Sequence, residues 1–187
     1  DYGTSAENIV LPADPTKPST DSQTFSFAGW TPALSAVTEN VVYKATYSST
    51  TNAYTITFVN GSETLQSSAV AFGETPAYSG QVPTKAATQA YTYTFKGWSP
   101  EIAVVASNAT YKTVFDSVLN KFTVTFVDED GAILKAATAY DYGTSAENIV
   151  LPANPTKPST DSQTFSFAGW TPALSAVTEN VVYKATY

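Results

Sequence analysis

The chain has 187 residues, a net charge of −7, and no cysteine, histidine or methionine. Disulfides, thiolate nucleophiles and Cys/His metal sites are therefore excluded. With scattered acids and no basic stripe, no nucleic-acid partner is expected. No apolar run reaches the length of a membrane span, so no membrane insertion is expected of this fragment.

Apolar residues make up 43% of the chain, which is enough for a folded core. Thr, Tyr, Val and Phe dominate, and such side chains suit half-buried pleated surfaces. The lack of easily oxidised residues fits an oxidising exterior. There is no signal peptide and no sorting motif, so the chain reads as an internal piece of a longer protein.

In chain order, Tyr2-Gly3 is followed by a Pro- and Ser-rich loop with Pro15-Thr16-Lys17, an aromatic strand ending at Trp30, and a closing strand through Tyr43-Lys44. Residues Asp1–Tyr47 return as Asp141–Tyr187 with one change, Asp14 to Asn154. Between them lies a diverged copy whose Trp98 stands 68 residues after Trp30 and 72 before Trp170. Lys17, Lys85 and Lys157 each precede their tryptophan by 13, and Tyr43, Tyr111 and Tyr183 each follow it by 13. The frame predicts units of about 70 residues: an incomplete first repeat at 1–50, lacking its opening third, a second at 51–119 and a third at 120–187. Ser48–Asn52 and Asp116–Asn120 read as short linkers.

The second and third units open on strict alternation. Tyr54, Ile56 and Phe58 face one way against Thr55 and Thr57, as do Phe122, Val124 and Phe126 against Thr123 and Thr125, predicting half-buried strands. Asn60-Gly61 and Asp130-Gly131 predict hairpin turns because both residues tolerate positive φ. A second strand is expected near 64–72 and 132–142. Ser145–Val150 suits one or two helical turns with Thr144 or Ser145 as N-cap, stopped by Pro152 and Pro155. Phe165, Phe167 and Trp170 predict a third strand, and Val181–Tyr187 a fourth with Val181, Tyr183, Ala185 and Tyr187 on one face.

The expected fold class is mainly β, bordering on α+β. It consists of tandem small β-grasp-like repeats, each a mixed sheet with at most one short helix, with a small sandwich as the alternative. The incomplete first copy should present an unpaired strand edge, which invites strand exchange or packing against a neighbouring molecule.

The ordered string resembles the Listeria–Bacteroides repeat, the B-repeat of internalin B. Its parts are Tyr/Phe-Thr-Val/Ile-Thr-Phe, a Gly turn, aromatic-Gly, Pro-Thr-Lys, Phe-x-Phe-x-Gly-Trp and a closing Tyr-Lys-Ala-x-Tyr. The likeness covers nearly the whole chain. It departs at the first turn, where many members carry Gly-Gly and this chain has Asn60-Gly61-Ser62 or Asp128–Gly131. The resemblance implies a β-grasp fold, a multi-repeat extracellular protein at the bacterial cell surface or attached to the cell wall, and no catalytic residues.

Few side-chain groups invite chemistry. Asp128-Glu129-Asp130 is the densest acidic cluster, but it lacks EF-hand spacing and has no counterpart at Val59–Ser62, so no metal or cofactor is expected. Trp30, Trp98 and Trp170, with Phe25, Phe27, Tyr93, Phe95, Phe165 and Phe167, suggest a sugar platform. A small domain equally needs such side chains for its core, and their strand register favours the core. Lys17, Lys85 and Lys157 suggest isopeptide chemistry, against which their polar, Pro-flanked loops predict exposure. No histidine activates a serine, and no Ser-x-x-Lys or Gly-x-Ser-x-Gly motif occurs. Carboxylate pairs could serve a glycosidase, but an active site is seldom needed in every unit of an array. The sequons at Asn60 and Asn108 have no bearing in a bacterial protein.

No catalytic, cofactor or metal residue is assigned, and an enzyme is not expected. The expected function is a non-catalytic stalk or spacer, with a role in adhesion, whose partners are the neighbouring repeats. The alternative is a glycan- or host-protein-binding module that gains avidity from repetition.

Overall fold

The computed structural model describes all residues from Asp1 to Tyr187. Strands make up 42% of the chain and helix 3%, all of it 3-10. By compactness the chain forms two units, Asp1–Val82 with Gly97–Val114, and Pro83–Lys96 with Phe115–Tyr187. The division falls within two strands of the middle repeat.

The strands are β1 (Gln23–Thr31), β2 (Lys44–Thr51), β3 (Ala53–Asn60), β4 (Glu63–Ala71), β5 (Tyr91–Ser99), β6 (Ala109–Leu119), β7 (Lys121–Val127), β8 (Ile133–Asp141), β9 (Gly169–Thr171) and β10 (Val181–Thr186). The sheet orders are β1-β2, β4-β3-β6-β5 and β8-β7-β10-β9. In both four-stranded sheets an antiparallel hairpin lays its first strand parallel to the last strand of the repeat, as at Ile56↔Ala109 and Val124↔Val181. This is the mixed β-grasp order expected from the pattern of the elements, with a loop where a helix would cross.

Alternation decides what is buried. Ile56 and Phe58 are 1% and 0% exposed, and Val124 and Phe126 are 0%. Around the first pair lie Val105 and Tyr111, with Trp98 and Ile102 at the margin; around the second lie Ile149, Val177 and Tyr183, with Trp170 and Leu174. Phe58 stacks on Tyr111 at 5.3 Å and meets Trp98 edge-on at 4.7 Å. Phe126 does the same with Tyr183 at 5.4 Å and Trp170 at 4.8 Å. The two cores are thus one design built twice.

Glycine bulges explain how two aromatic residues three apart reach the same face. The β1–β2 register shifts between Phe27 and Gly29. Gly29 has φ 125° and Gly169 φ 139°, conformations that side chains with a Cβ rarely adopt. The shift turns Trp30 onto Phe27 at 5.4 Å and Trp170 onto Phe167 at 5.1 Å. Each Trp is followed by a cis peptide bond, at Thr31-Pro32, Ser99-Pro100 and Thr171-Pro172.

Several local expectations are corrected. Ser48–Thr51 and Asp116–Leu119 are the ends of β2 and β6, not linkers. Their Thr, Ser and Val residues extend the ladder, with Thr51↔Gln23 and Ser49↔Phe25 as register partners in the first copy. A single residue, Asn52 or Asn120, separates one repeat's last strand from the next repeat's first.

The β3–β4 turn is Gly61-Ser62, with φ 60° at Gly61; Asn60 stays in the strand, paired with Glu63. The β7–β8 loop is longer, closed by Asp128 N–H donating to Ala132 O at 2.8 Å and by Gly131 N–H donating to Asp128 O at 3.0 Å. The helical segment is one 3-10 turn, Ala146–Asn148, whose N-cap Ser145 makes no side-chain cap bond. Thr144 Oγ1 instead donates to Asp141 O at 2.8 Å.

In the third copy the expected aromatic strand is short, Gly169–Thr171, whereas its sister β1 runs nine residues. The longer strand is laddered against residues 48–51.

Residues 1–47 are held by their own contacts. Gly3 N–H donates to Val37 O at 2.7 Å and Val37 N–H to Thr4 O at 2.9 Å. The identical residues of the third copy do the same, at 2.7 and 2.9 Å. β3 pairs with β4 and β6. The segment Val41–Tyr43 is covered by no strand of this chain, and its order does not depend on strand exchange.

Candidate functional site

Each repeated, chemically conspicuous residue has a structural task. Lys17 Nζ lies 3.7 Å from the centroid of Phe25, Lys85 Nζ 3.9 Å from that of Tyr93, and Lys157 Nζ 4.2 Å from that of Phe165. In each copy an ammonium caps an aromatic ring and ties the Pro-rich loop to the sheet, an attraction of about 0.5–1 kcal/mol at an exposed site. Lys157 also reaches Glu129 at 2.6 Å. None of the three lysines is buried, so the desolvated Lys–Asn–acid contact that isopeptide formation needs is not assembled.

The tryptophans are equivalent but half-buried, less deeply than a pure core role predicts. Trp98 and Trp170 each meet the central phenylalanine edge-on. The flanking rings Phe25, Phe27, Tyr93, Phe95, Phe165 and Phe167 are half-buried as well.

The acidic turn is occupied by its own hydrogen bonds. Asp128 Oδ1 accepts from Tyr187 Oη at 2.6 Å and from Glu129 N–H at 2.8 Å, and Asp130 Oδ1 accepts from Ala132 N–H at 2.9 Å. No group of three or more Asp or Glu side chains is gathered to hold a metal ion. Melting in calcium and in chelator is expected at the same midpoint. A rise of several degrees in calcium would show a bound ion, because a ligand of the folded state alone must raise it.

Where titration moves clearly, it moves away from neutrality, the opposite of what general acid–base catalysis requires. The Tyr187 hydroxyl, and then the Glu129 amide, hold the Asp128 carboxyl below its ordinary value. The bond to Asp128 pushes the Tyr187 phenol up to about 12. Lys96 is raised by its hydrogen bond to Asp116, 2.8 Å away.

For the Asp128–Tyr187 contact the linkage has two signs. The lowered carboxyl contributes stability above its unfolded value, lost as pH falls through the folded one. The raised phenol contributes stability below 10.0, lost as pH rises through about 12. Ultraviolet titration should find one tyrosine ionising near 12, and Asp128→Asn should bring it back toward 10.0.

Sequence reasoning passed over the asparagines at the junctions. Asn52 Nδ2 donates to Thr20 O at 2.8 Å and Asp21 O at 3.0 Å, and its Oδ1 accepts from Thr24 Oγ1 at 2.8 Å. Asn120 Nδ2 donates to Thr88 O at 3.0 Å and Gln89 O at 2.9 Å, and its Oδ1 accepts from Thr92 Oγ1 at 2.7 Å. The backbone joins in: Asn52 N–H donates to Ser22 O at 2.9 Å, and Phe72 N–H to Asn52 O at 2.8 Å. Asn120 repeats both, with Ala90 and Tyr142, at 2.8 Å. One residue thus bonds the loop before the aromatic strand of one repeat to the opening hairpin of the next.

No protein-family model matches the chain, and no curated protein does. The resemblance to the Listeria–Bacteroides repeat therefore rests on the residues quoted for it. A solved structure of Streptococcal High Identity Repeats in Tandem (SHIRT) domains 3-4 from a cell surface protein aligns at 17% identity with a TM-score of 0.35, covering 71% of this chain and 96% of that one. A TM-score at that level falls short of a common fold. No helix is long and apolar enough to cross a membrane.

Proposed function

We infer that this chain is a non-catalytic tandem-repeat region of a bacterial cell-surface protein and acts as a spacer. The observation that carries this is the junction. Two successive joints are built by the same residue type, with the same donors and acceptors, at distances matching to within about 0.2 Å. A flexible linker needs no such bonds, whereas a spacer that holds its length needs fixed joints. The lysines and aromatic rings that recur in frame serve the same end, since they are spent on internal contacts. The surface location rests on the Listeria–Bacteroides-like pattern of residues.

The joint is open to direct measurement, because the chain has no cysteine to compete with introduced labels. Spin labels at Ser26→Cys in β1 and Ser68→Cys in β4 lie on either side of Asn52, both exposed on regular strands. Pulsed electron–electron resonance should give one narrow distance distribution. A broad one would contradict the spacer. Saturable binding of a glycan or matrix protein by the second repeat alone would favour a binding module instead.

A further inference from the structure

Residues 1–47 and 141–187 are the same sequence but for one residue, so any difference in burial comes from what covers them. In the third copy Ile149, Val177, Tyr183 and Ala185 are 4%, 1%, 1% and 2% exposed. Their counterparts Ile9, Val37, Tyr43 and Ala45 are none of them buried. The covering element in the third copy is the β7–β8 hairpin, which donates Val124 and Phe126 to the core. In the first copy the same face is an apolar groove lined by Ile9, Val10, Leu11, Pro12, Trp30 and Tyr43.

Three features make this groove a formed receptor. The loop bonds among Gly3, Thr4 and Val37 match those of the filled copy, so the frame is already set. Thr46 Oγ1 donates to Gly29 O at 2.9 Å, as Thr186 Oγ1 does to Gly169 O at 3.0 Å, so the Trp strand is equally fixed. Finally, Asn40 stands where Asn108 and Asn180 accept the backbone N–H of Thr55 and Thr123, both at 2.8 Å, a bond that sets the register of the incoming strand.

We propose that the groove between Ile9–Pro12 and Tyr43 is a docking site for a β-hairpin. The first strand of that hairpin reads aromatic-Thr-aliphatic-Thr-Phe, as Phe122–Phe126 does, and it is presented by another polypeptide. It adds parallel to Val41–Lys44, as β7 adds to Val181–Lys184. Its last Phe enters between Trp30 and Tyr43, as Phe126 enters between Trp170 and Tyr183. Its backbone N–H at the first Thr meets Asn40 Oδ1. The proposal does not depend on the spacer function.

The test adds a peptide of residues 120–142 to the whole isotope-labelled chain and follows amide and indole resonances. The expected result is saturable one-to-one shifts at the Trp30 indole and at Val41–Ala45, with no shifts in residues 141–187. A peptide carrying Phe126→Asp should leave the spectrum unchanged. Isolated hairpins are marginally stable. The second arm therefore fuses residues 120–140 directly ahead of Asp1, copying the Tyr140–Asp141 connection. There, amide exchange at Val41–Ala45 should slow by about tenfold or more. Failure of both arms overturns the proposal. So does sedimentation showing that the chain alone dimerises with these same resonances shifting on dilution, because the occupant would then be a second copy.

Discussion

Replacing Tyr183 by alanine is expected to destabilise the third repeat by about 3–5 kcal/mol, the range for large aromatic truncations in a core. The ring is 1% exposed and stacks on Phe126 at 5.4 Å. Its hydroxyl accepts from Ser175 N–H at 3.3 Å, a backbone donor that would lose its partner. The same substitution at Tyr43 should cost far less, about 1 kcal/mol or below, because that ring is only half-buried and has no phenylalanine beneath it. The two sites share their sequence context, so helix and strand propensities cancel in the comparison. What is left is the contribution of the hairpin that covers one and not the other. Hydrogen exchange in denaturant, read by mass spectrometry on peptides from 121–141 and 41–51, gives both values separately. This matters because units of a repeat array need not unfold together. Equal losses at the two positions would contradict the burial difference on which the docking groove rests.

The repeats, the strands of each hairpin and the β-grasp order were legible in the sequence, for physical reasons that can be named. Alternation at Tyr54–Phe58 and Phe122–Phe126 reports a sheet with one wet face, and the aromatic frame from Lys to Trp to Tyr reports a common core. What stayed hidden depended on pairing partners far along the chain. Ser48–Thr51 look like a linker because Ser and Thr are common in loops; they are strand because Gln23–Phe27 lie opposite them. The bulge at Gly29 hid for a related reason. A lone Gly in an aromatic run is a weak sign until the register shift shows that it re-aims Trp30. Lys17, Lys85 and Lys157 sit in Pro-flanked segments that predict exposure, and only the fold reveals the ring beneath each. A signal for the junction asparagines was present and unused: Asn52 follows Trp30, and Asn120 follows Trp98, by the same 22 residues.

That spacing leads to the second large effect. Asn120→Ala removes two donations to carbonyls and one acceptance from a hydroxyl, leaving Thr88 O, Gln89 O and Thr92 Oγ1 to find other partners. Each such bond contributes about 0.5–1.5 kcal/mol, and the half-exposed site lets water recover part of it, so the expected loss is about 1–3 kcal/mol. The loss should be local. Amides of 88–92 and of Tyr142, whose N–H donates to Asn120 O, should exchange faster, while Val124 and Phe126 in the core stay protected. Asn120→Asp separates geometry from charge. A carboxylate can accept from Thr92 Oγ1 but has no N–H for the two carbonyls, and it turns a negative oxygen toward them. It should therefore be no better than alanine, and worse at low salt than at high salt. The equivalent pair of changes at Asn52 should reproduce both the magnitude and the ordering, and should broaden the Ser26–Ser68 label distance. If Asn52→Ala left that distance as narrow as in the unsubstituted chain, the backbone bonds of the joint would suffice to fix it, and the side chain would be a passenger.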